Sequence, residues 1–152
     1  MSREIKFRAW DKIKNKIYLI AGISFTNNDV WLRINDKQIM GANFSEIKLM
    51  QYTGLKDKND KEIYEGDVIQ FLWEEDSCWG KAGTYKGYIG FNQGAFEVIY
   101  ISRDEITVFD DGSWHENSKS DDMQSFISWS EEIEVIGNIY ENPELLKSEV
   151  EQ

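Results

Sequence analysis

The stretch YIGFNQGAFEVIYI, residues 88–101, decides the fold class of this chain. Two apolar runs flank the residues NQG at 92–94, which form a turn of the kind that joins the strands of a β-hairpin. In the second run Phe96, Val98 and Tyr100 occupy alternate positions, so a strand would place them on one side. The stretch therefore predicts an antiparallel hairpin in a mainly-β protein.

Alternation of apolar and polar residues recurs outside this hairpin. Further strands are predicted at residues 5–10, 17–20, 30–34, 47–52, 68–73 and 133–140. The only proline, Pro143, lies outside all of them, so no strand ladder loses a donor. Asn142 is a good helix cap and Pro143 suits the first helical position, so a short C-terminal helix is expected after the last strand.

Turn residues and glycines dominate the middle of the chain. Asn59 and Asp60 tolerate positive φ and can close a tight hairpin. Gly66 permits a sharp turn and Asp67 can accept hydrogen bonds from nearby amides, so we interpret both as structural turn residues. Because the glycine-punctuated strands begin near residue 50, we expect an N-terminal β region at 1–49 and a second region at 50–152, which together can form one compact unit.

The charge of the chain is large and unevenly placed. Residues 1–73 carry 12 Lys or Arg and 10 Asp or Glu, a net of +2, whereas residues 74–152 carry 5 and 18, a net of −13; the two sums give the total of −11. Bulk duplex DNA should repel such a chain, because affinity for DNA comes mainly from neutralising phosphates. The acidic half either meets a basic partner surface or serves solubility alone.

Several features of the sequence indicate the compartment. No stretch approaches the roughly 18 apolar residues of a membrane span. The N-terminus is polar and has no apolar signal-peptide core. Cys78 is the only cysteine, so no intrachain disulfide can form, which suits a reducing environment. We therefore expect a protein of the cytoplasm with no membrane contact.

Catalytic constellations are weak in this sequence. A nucleophilic pair would need Cys78 beside His115, the only histidine, and the acids around Cys78 disfavour a reactive thiolate. Oxygen ligands for a cation exist at residues 110–116, yet solvated surface acids explain them better. No phosphate-binding glycine loop and no nucleophile elbow is present. We expect no enzyme activity, no catalytic residue, no metal site and no cofactor.

The N-terminal strand carries the candidate binding residues. Lys6, Arg8 and Trp10 alternate with apolar residues and therefore point the same way, and Lys12 follows in the turn beside them. Cations next to an aromatic ring can hold single-stranded nucleic acid through phosphate contacts and stacking. The other interpretation is a solvated face, or one covered by an acidic surface of the same protein or of a neighbouring subunit.

Three blocks of the sequence resemble the YopX family: residues 5–11 (IKFRAWD), residues 50–67 (MQYTGLKDKNDKEIYEGD) and residues 134–146 (EVIGNIYENPELL). The resemblance implies an N-terminal β region followed by a small SH3-like β-barrel. It implies an origin in bacteriophages and prophages, and it brings no established activity or catalytic residues. The sequence departs from the family pattern at Asp60, where the family hairpin has glycine.

These observations favour a non-enzymatic binding or assembly module of the bacterial cytoplasm, active during phage replication or lysogeny. The expected partners are further copies of the chain, as a homo-oligomer, or another protein. The alternative is a nucleic-acid-directed protein. It would bind a single strand through the basic N-terminal face, or its acidic half would mimic nucleic acid and sequester a host factor.

Overall fold

The computed structural model describes residues 2–74, 82–105, 120–122 and 133–147. Within these ranges the protein is mainly β and forms two antiparallel sheets, which confirms the predicted fold class. The strands are β1 (Phe7–Asp11), β2 (Lys16–Ser24), β3 (Asp29–Asn35), β4 (Gln38–Asn43), β5 (Ile47–Lys56), β6 (Glu62–Tyr64), β7 (Asp67–Glu74), β8 (Ala82–Asn92), β9 (Ala95–Glu105), β10 (Ser120–Asp122) and β11 (Glu134–Asn138). Short 3-10 helices occupy Phe44–Glu46 and Pro143–Leu146.

The chain divides into two compact units. The first contains the residues up to Leu55 together with Glu62–Tyr64, and the second contains Lys56–Lys61 and the described residues from Glu65 onward. The boundary expected between residues 49 and 50 falls inside β5. That strand pairs with β1 over Ile47–Gln51, so the first unit extends past residue 49 before the chain leaves it.

The first unit is a six-stranded sheet in the order β4-β3-β2-β1-β5-β6. Its core lies on one face, where Ala9, Val30, Leu32 and Ile47 are buried. Val30 and Leu32 are two residues apart on β3, so the residues between and beside them must face the other way. Burial on one face therefore fixes which side chains the opposite face carries.

The second unit contains a five-stranded sheet in the order β10-β9-β8-β7-β11. The hairpin predicted at residues 88–101 is confirmed: β8 pairs with β9, and Asn92 lies opposite Ala95. The two residues between them, Gln93 and Gly94, have φ of 49° and 83°. Positive φ at both central positions is the signature of a type I′ turn, whose twist matches the twist of the strands it joins.

Two finer features of the expected fold, the SH3-like barrel and the C-terminal helix, stay predictions. Among the described residues the second sheet is open, with β10 and β11 at its edges, and no closed SH3-like barrel is formed. At the C-terminal end, the turn at Pro143–Leu146 begins where the sequence indicates a helix start, but it is a 3-10 helix of 4 residues. Asn142 does not cap it with its side chain and instead accepts a hydrogen bond from the Asn138 amide.

A tight hairpin joins β5 to β6. The amide of Asp57 donates to the carbonyl of Lys61 at 2.8 Å, and the amide of Asp60 donates to the carbonyl of Asp57 at 3.0 Å. Asp60 has φ of 64°, a conformation that glycine adopts without steric cost and other residues adopt less readily. The tight turn predicted at Asn59 and Asp60 is thus confirmed, with the positive φ at Asp60 alone of the two.

The side chain of Asp57 ties this hairpin to β11. Its Oδ1 accepts from the amides of Asn59 (2.8 Å) and Lys61 (2.9 Å), and its Oδ2 accepts from the amide of Val135 (3.0 Å). Burial by itself would raise the pKa of this carboxyl, but the amides of Val135, Lys61 and Asn59 outweigh burial and hold the pKa below its ordinary value. The ionised carboxylate is therefore the form that the fold stabilises.

Replacing Asp60 with glycine should stabilise the protein. Asp60→Gly relieves the positive φ, and it gives up only an exposed ion pair with Lys56. We expect the free energy of unfolding in urea to rise by about 0.5–1 kcal/mol. Asn59→Gly is the matched control, because its φ is not positive and glycine there only adds backbone entropy to the unfolded chain. Equal effects of the two substitutions would contradict this explanation.

Neutralising Asp57 should destabilise the protein in a pH-dependent way. In Asp57→Asn one acceptor oxygen becomes an NH₂ group that faces an amide N–H, at a cost of about 1–3 kcal/mol. Since the folded pKa lies below the ordinary value of 3.8, the carboxylate contributes stability above that pH and loses it as the pH falls through the folded pKa. Urea unfolding of both proteins at neutral pH and at about pH 3 measures the difference, which should shrink in acid. A difference that is independent of pH would exclude the charged form as the stabilising one.

Candidate functional site

Lys6, the first candidate binding residue, is engaged by acids in the structure. Its ammonium lies 2.9 Å from Glu4 and 2.5 Å from Glu62 of β6. It also lies 5.4 Å from the centre of the Tyr52 ring, which is within the range of a cation–π contact. The positive charge of Lys6 is thus largely met by the first unit itself.

Arg8 lies beside Lys6 and contacts an aromatic ring. Its guanidinium is 4.4 Å from the centre of the Tyr64 ring. The Tyr64 hydroxyl donates to Glu62 at 2.8 Å, and the Tyr64 and Tyr52 rings are 5.4 Å apart. We call these five residues the cation–tyrosine cluster: Lys6, Arg8, Tyr52, Glu62 and Tyr64.

The surroundings of Lys6 and Tyr64 shift the pKa values of both groups. Hydrogen bonds to Glu62 and then Glu4 raise the pKa of the Lys6 ammonium. Burial, followed by the hydrogen bond to Glu62, raises the pKa of the Tyr64 phenol. Near neutral pH the Lys6 ammonium therefore stays charged and the Tyr64 phenol stays protonated.

The other two candidates of the N-terminal strand lie farther along it. Trp10 is half-buried and pairs with Ile17 of β2 and Lys48 of β5. Lys12 is exposed in the turn at the far end of β1, where its ammonium donates to the carbonyl of Ser45 at 2.9 Å. The structure brings Lys6 and Arg8 together around Glu62 and Tyr64, and it places Lys12 outside that cluster.

Gly66 and Asp67 lie at the start of β7. Gly66 has φ of 83°, donates to the carbonyl of Ile89 at 2.7 Å and accepts from the amide of Ile139 at 2.9 Å. Asp67 is buried, and the side-chain amide of Asn138 on β11 donates to it at 3.2 Å. Asn138, which is also buried, was not among the residues singled out from the sequence, because its partner lies 71 residues away.

Several other candidates fall outside the described residues. These are Cys78, His115 and the acids at 110–116. Over the ranges that the structure covers, no group of three or more His, Cys, Asp or Glu side chains is placed to hold a metal ion. No helix in those same ranges is long and apolar enough to cross a membrane.

The first sheet exposes an apolar surface that the sequence did not predict. Leu19 of β2, Arg33 of β3 and Ile39 of β4 lie side by side in register. In the neighbouring row Trp31 lies between Gly22 and Gly41. Leu19, Trp31 and Ile39 are 51%, 37% and 55% exposed. We call this surface the apolar patch: Leu19, Gly22, Trp31, Ile39 and Gly41.

Glycines shape the patch around Trp31. The position of a Cβ on Gly22 would lie 3.3 Å from the indole ring, so the ring lies over the Gly22 backbone. On the other side, a Cβ on Gly41 would meet nothing within 4 Å. Next to Gly41 and Trp31 is a depression of about 290 Å³ that Asn43 and Glu46 also line. The patch is thus a flat aromatic surface with an open position at the sheet edge.

The sequence does not indicate the patch, because the edge strand β4 has a weak strand pattern. Residues 38–43, QIMGAN, contain one β-branched residue and a glycine, so β4 was not predicted. The signal that was present lies in β3, where Trp31 and Arg33 alternate with Val30 and Leu32. A large aromatic on the polar side of a strand marks a candidate interaction surface only where other exposed apolar residues lie beside it.

Comparisons with known proteins agree with the fold. The family model described as YopX protein matches residues 6–147. The crystal structure of protein EF1440 from Enterococcus faecalis is 24% identical in sequence, with a TM-score of 0.53 over 96% of this chain and 100% of that one. No curated protein matches the chain. The structural similarity supports the fold alone.

Proposed function

The chain belongs to the YopX family, and we propose that it is a non-enzymatic module that binds another protein chain through the apolar patch. The observation that carries this proposal is the register of the patch: Leu19, Trp31 and Ile39 are exposed on three neighbouring strands of one sheet. Single exposed apolar residues are ordinary, whereas several on neighbouring strands of one sheet face are a candidate interaction site.

The composition of the patch fits protein association. Trp and Arg are enriched where interfaces gain most of their binding energy, and Arg33 lies between Leu19 and Ile39. Full burial of one exposed large apolar side chain contributes about 1.5–3 kcal/mol, and Leu19, Trp31 and Ile39, which are 37–55% exposed, would each gain a fraction of that in a contact. The net charge of +2 over residues 1–73 is small, so long-range repulsion does not oppose a partner at this surface.

The cellular setting follows from family membership as part of the same proposal. YopX proteins are associated with bacteriophages and prophages, so the module would act in the bacterial cytoplasm during phage replication or lysogeny. The acidic second half would keep the protein away from bulk duplex DNA, since residues 74–152 carry a net charge of −13. No catalytic step is part of the proposal.

Charging the patch should abolish binding. In cells that express the tagged chain, quantitative affinity capture should retain one defined partner, either the untagged chain or another protein. The double variant Leu19→Glu with Ile39→Glu should lose it, because a partner surface would have to desolvate two new carboxylates. Ile13→Glu is the control, since Ile13 is 69% exposed and lies in a turn outside the patch. Identical capture by the wild type and the double variant would contradict the proposal.

The alternative function is nucleic-acid-directed, and the geometry gives a reason to rank it second. To contact phosphates, Lys6 would have to leave Glu4 and Glu62, and Arg8 would have to leave the Tyr64 ring. Mimicry of nucleic acid by the acidic half would need no such rearrangement.

Fluorescence anisotropy with labelled oligothymidine separates the two alternatives. We expect no binding at physiological salt, because the phosphates would have to displace Glu62 from Lys6 in a chain of net charge −11. The charge-reversed variant Lys6→Glu with Arg8→Glu should behave as the wild type does. Binding by the wild type that collapses in this variant would establish direct recognition of a single strand by the N-terminal face.

A further inference from the structure

The edge strand β4 lacks two of the features that commonly prevent strand pairing. It lies at the end of the six-stranded sheet, and its residues 38–43 contain no charged side chain and no proline. Native sheet edges are commonly protected by lysine, proline or a bulge, because an open edge offers its amides and carbonyls to another strand. Residues 38–43 contain neither lysine nor proline.

The hydrogen-bond phase of β4 shows which backbone groups face outward. The amide of Phe44 donates to the carbonyl of Asn28, which continues the β3–β4 register as a hydrogen-bonded pair. Hydrogen-bonded and non-hydrogen-bonded pairs alternate in an antiparallel ladder. Residues 39, 41 and 43 therefore direct their amides and carbonyls away from β3. The amide of Asn43 is already bound by the Glu46 carboxylate at 2.9 Å, which leaves Ile39 and Gly41 to offer theirs.

We propose that β4 pairs with β4 of a second copy of the chain, antiparallel about a two-fold axis at Met40. This inference rests on the proposed function and names its partner. In this register Ile39 of each copy lies opposite Gly41 of the other, and the outward amides and carbonyls of both residues exchange hydrogen bonds. A register centred on Gly41 would require the Asn43 amide, which Glu46 occupies.

Side chains fit this register as well as the backbone does. Gly41 has no side chain, and a Cβ there would meet nothing within 4 Å, so Ile39 of the second copy has room to lie over it. Trp31 is directly across from Gly41 on β3, and the isoleucine therefore covers an edge of the exposed indole. The depression of about 290 Å³ beside Gly41 and Trp31 is the place that receives it.

Charges at the two ends of the paired strands are complementary. Lys37 precedes β4, and in the proposed register it lies opposite Asn43 of the second copy. The Asn43 amide holds the carboxylate of Glu46 at that position. Two symmetric lysine–glutamate pairs would flank the joined strands, and the contact is self-complementary, as a two-fold interface must be.

Sedimentation velocity of the full chain over a range of concentrations tests the contact. The wild type should sediment as a dimer. Gly41→Lys should raise the dissociation constant of the dimer about 100-fold or more, because the lysine side chain occupies the space that Ile39 of the second copy needs and places a charge on the edge strand. Gly41 has open space and no positive φ, so the substitution is compatible with the fold. Ile13→Lys carries the same change of charge outside the patch and should remain a dimer.

Disulfide trapping tests the register of the proposed β4–β4 pairing independently of the Gly41→Lys variant. In a Cys78→Ser background, a mixture of Ile39→Cys and Gly41→Cys chains should cross-link under mild oxidation, while neither chain should cross-link with itself. Self-cross-linking of Gly41→Cys alone would overturn the register. A monomer at all concentrations, or a dimer that Gly41→Lys leaves intact, would overturn the β4 contact. If affinity capture then found a different protein on the apolar patch, the proposed function would stand and this inference would fail.

Discussion

The alternation of side chains along β3 is the constraint on which the first unit depends. Val30 and Leu32 are completely buried in the core of the six-stranded sheet. Successive side chains of a strand point to opposite faces of the sheet, so Trp31 and Arg33 are directed outward. Shifting the register by one residue would bury an arginine and expose the core. The exposed patch is therefore a consequence of the same pairing that stabilises the sheet, and its position is as fixed as the core.

Local sequence pattern predicted the parts of the fold that depend on neighbouring residues. The hairpin at residues 88–101 and the positive φ at Asp60 follow from alternation and turn chemistry within a few positions. Contacts between distant residues gave no such signal. The bond from the Val135 amide to Asp57 spans 78 residues, and the ion pair of Lys6 with Glu62 spans 56. The sequence does not indicate strand β4 for a different reason, since QIMGAN contains a single β-branched residue, Ile39, and no aromatic residue.

The candidate site shows how the same local pattern can identify residues without identifying their role. The alternation of residues indicates that Lys6 and Arg8 point the same way, and in the structure Lys6 contacts Glu62 and the Tyr52 ring while Arg8 contacts the Tyr64 ring. The sequence does not contain the information that Glu62 and Tyr64 lie within reach of them. Once those partners are present, both cations are engaged by residues of the first unit, whereas the apolar patch on β2, β3 and β4 is exposed. The proposed function therefore rests on the apolar patch and not on Lys6 and Arg8.

The most direct test of a β4-mediated assembly is amide hydrogen exchange at Ile39 and Gly41, followed residue by residue at several protein concentrations. Their amides face away from β3, so in a single copy they exchange with the solvent at close to the rate of an open chain. Both amides should become protected as the concentration rises, while the amide of Met40, which faces β3, should stay protected throughout. Fast exchange at Ile39 and Gly41 at every concentration would contradict it.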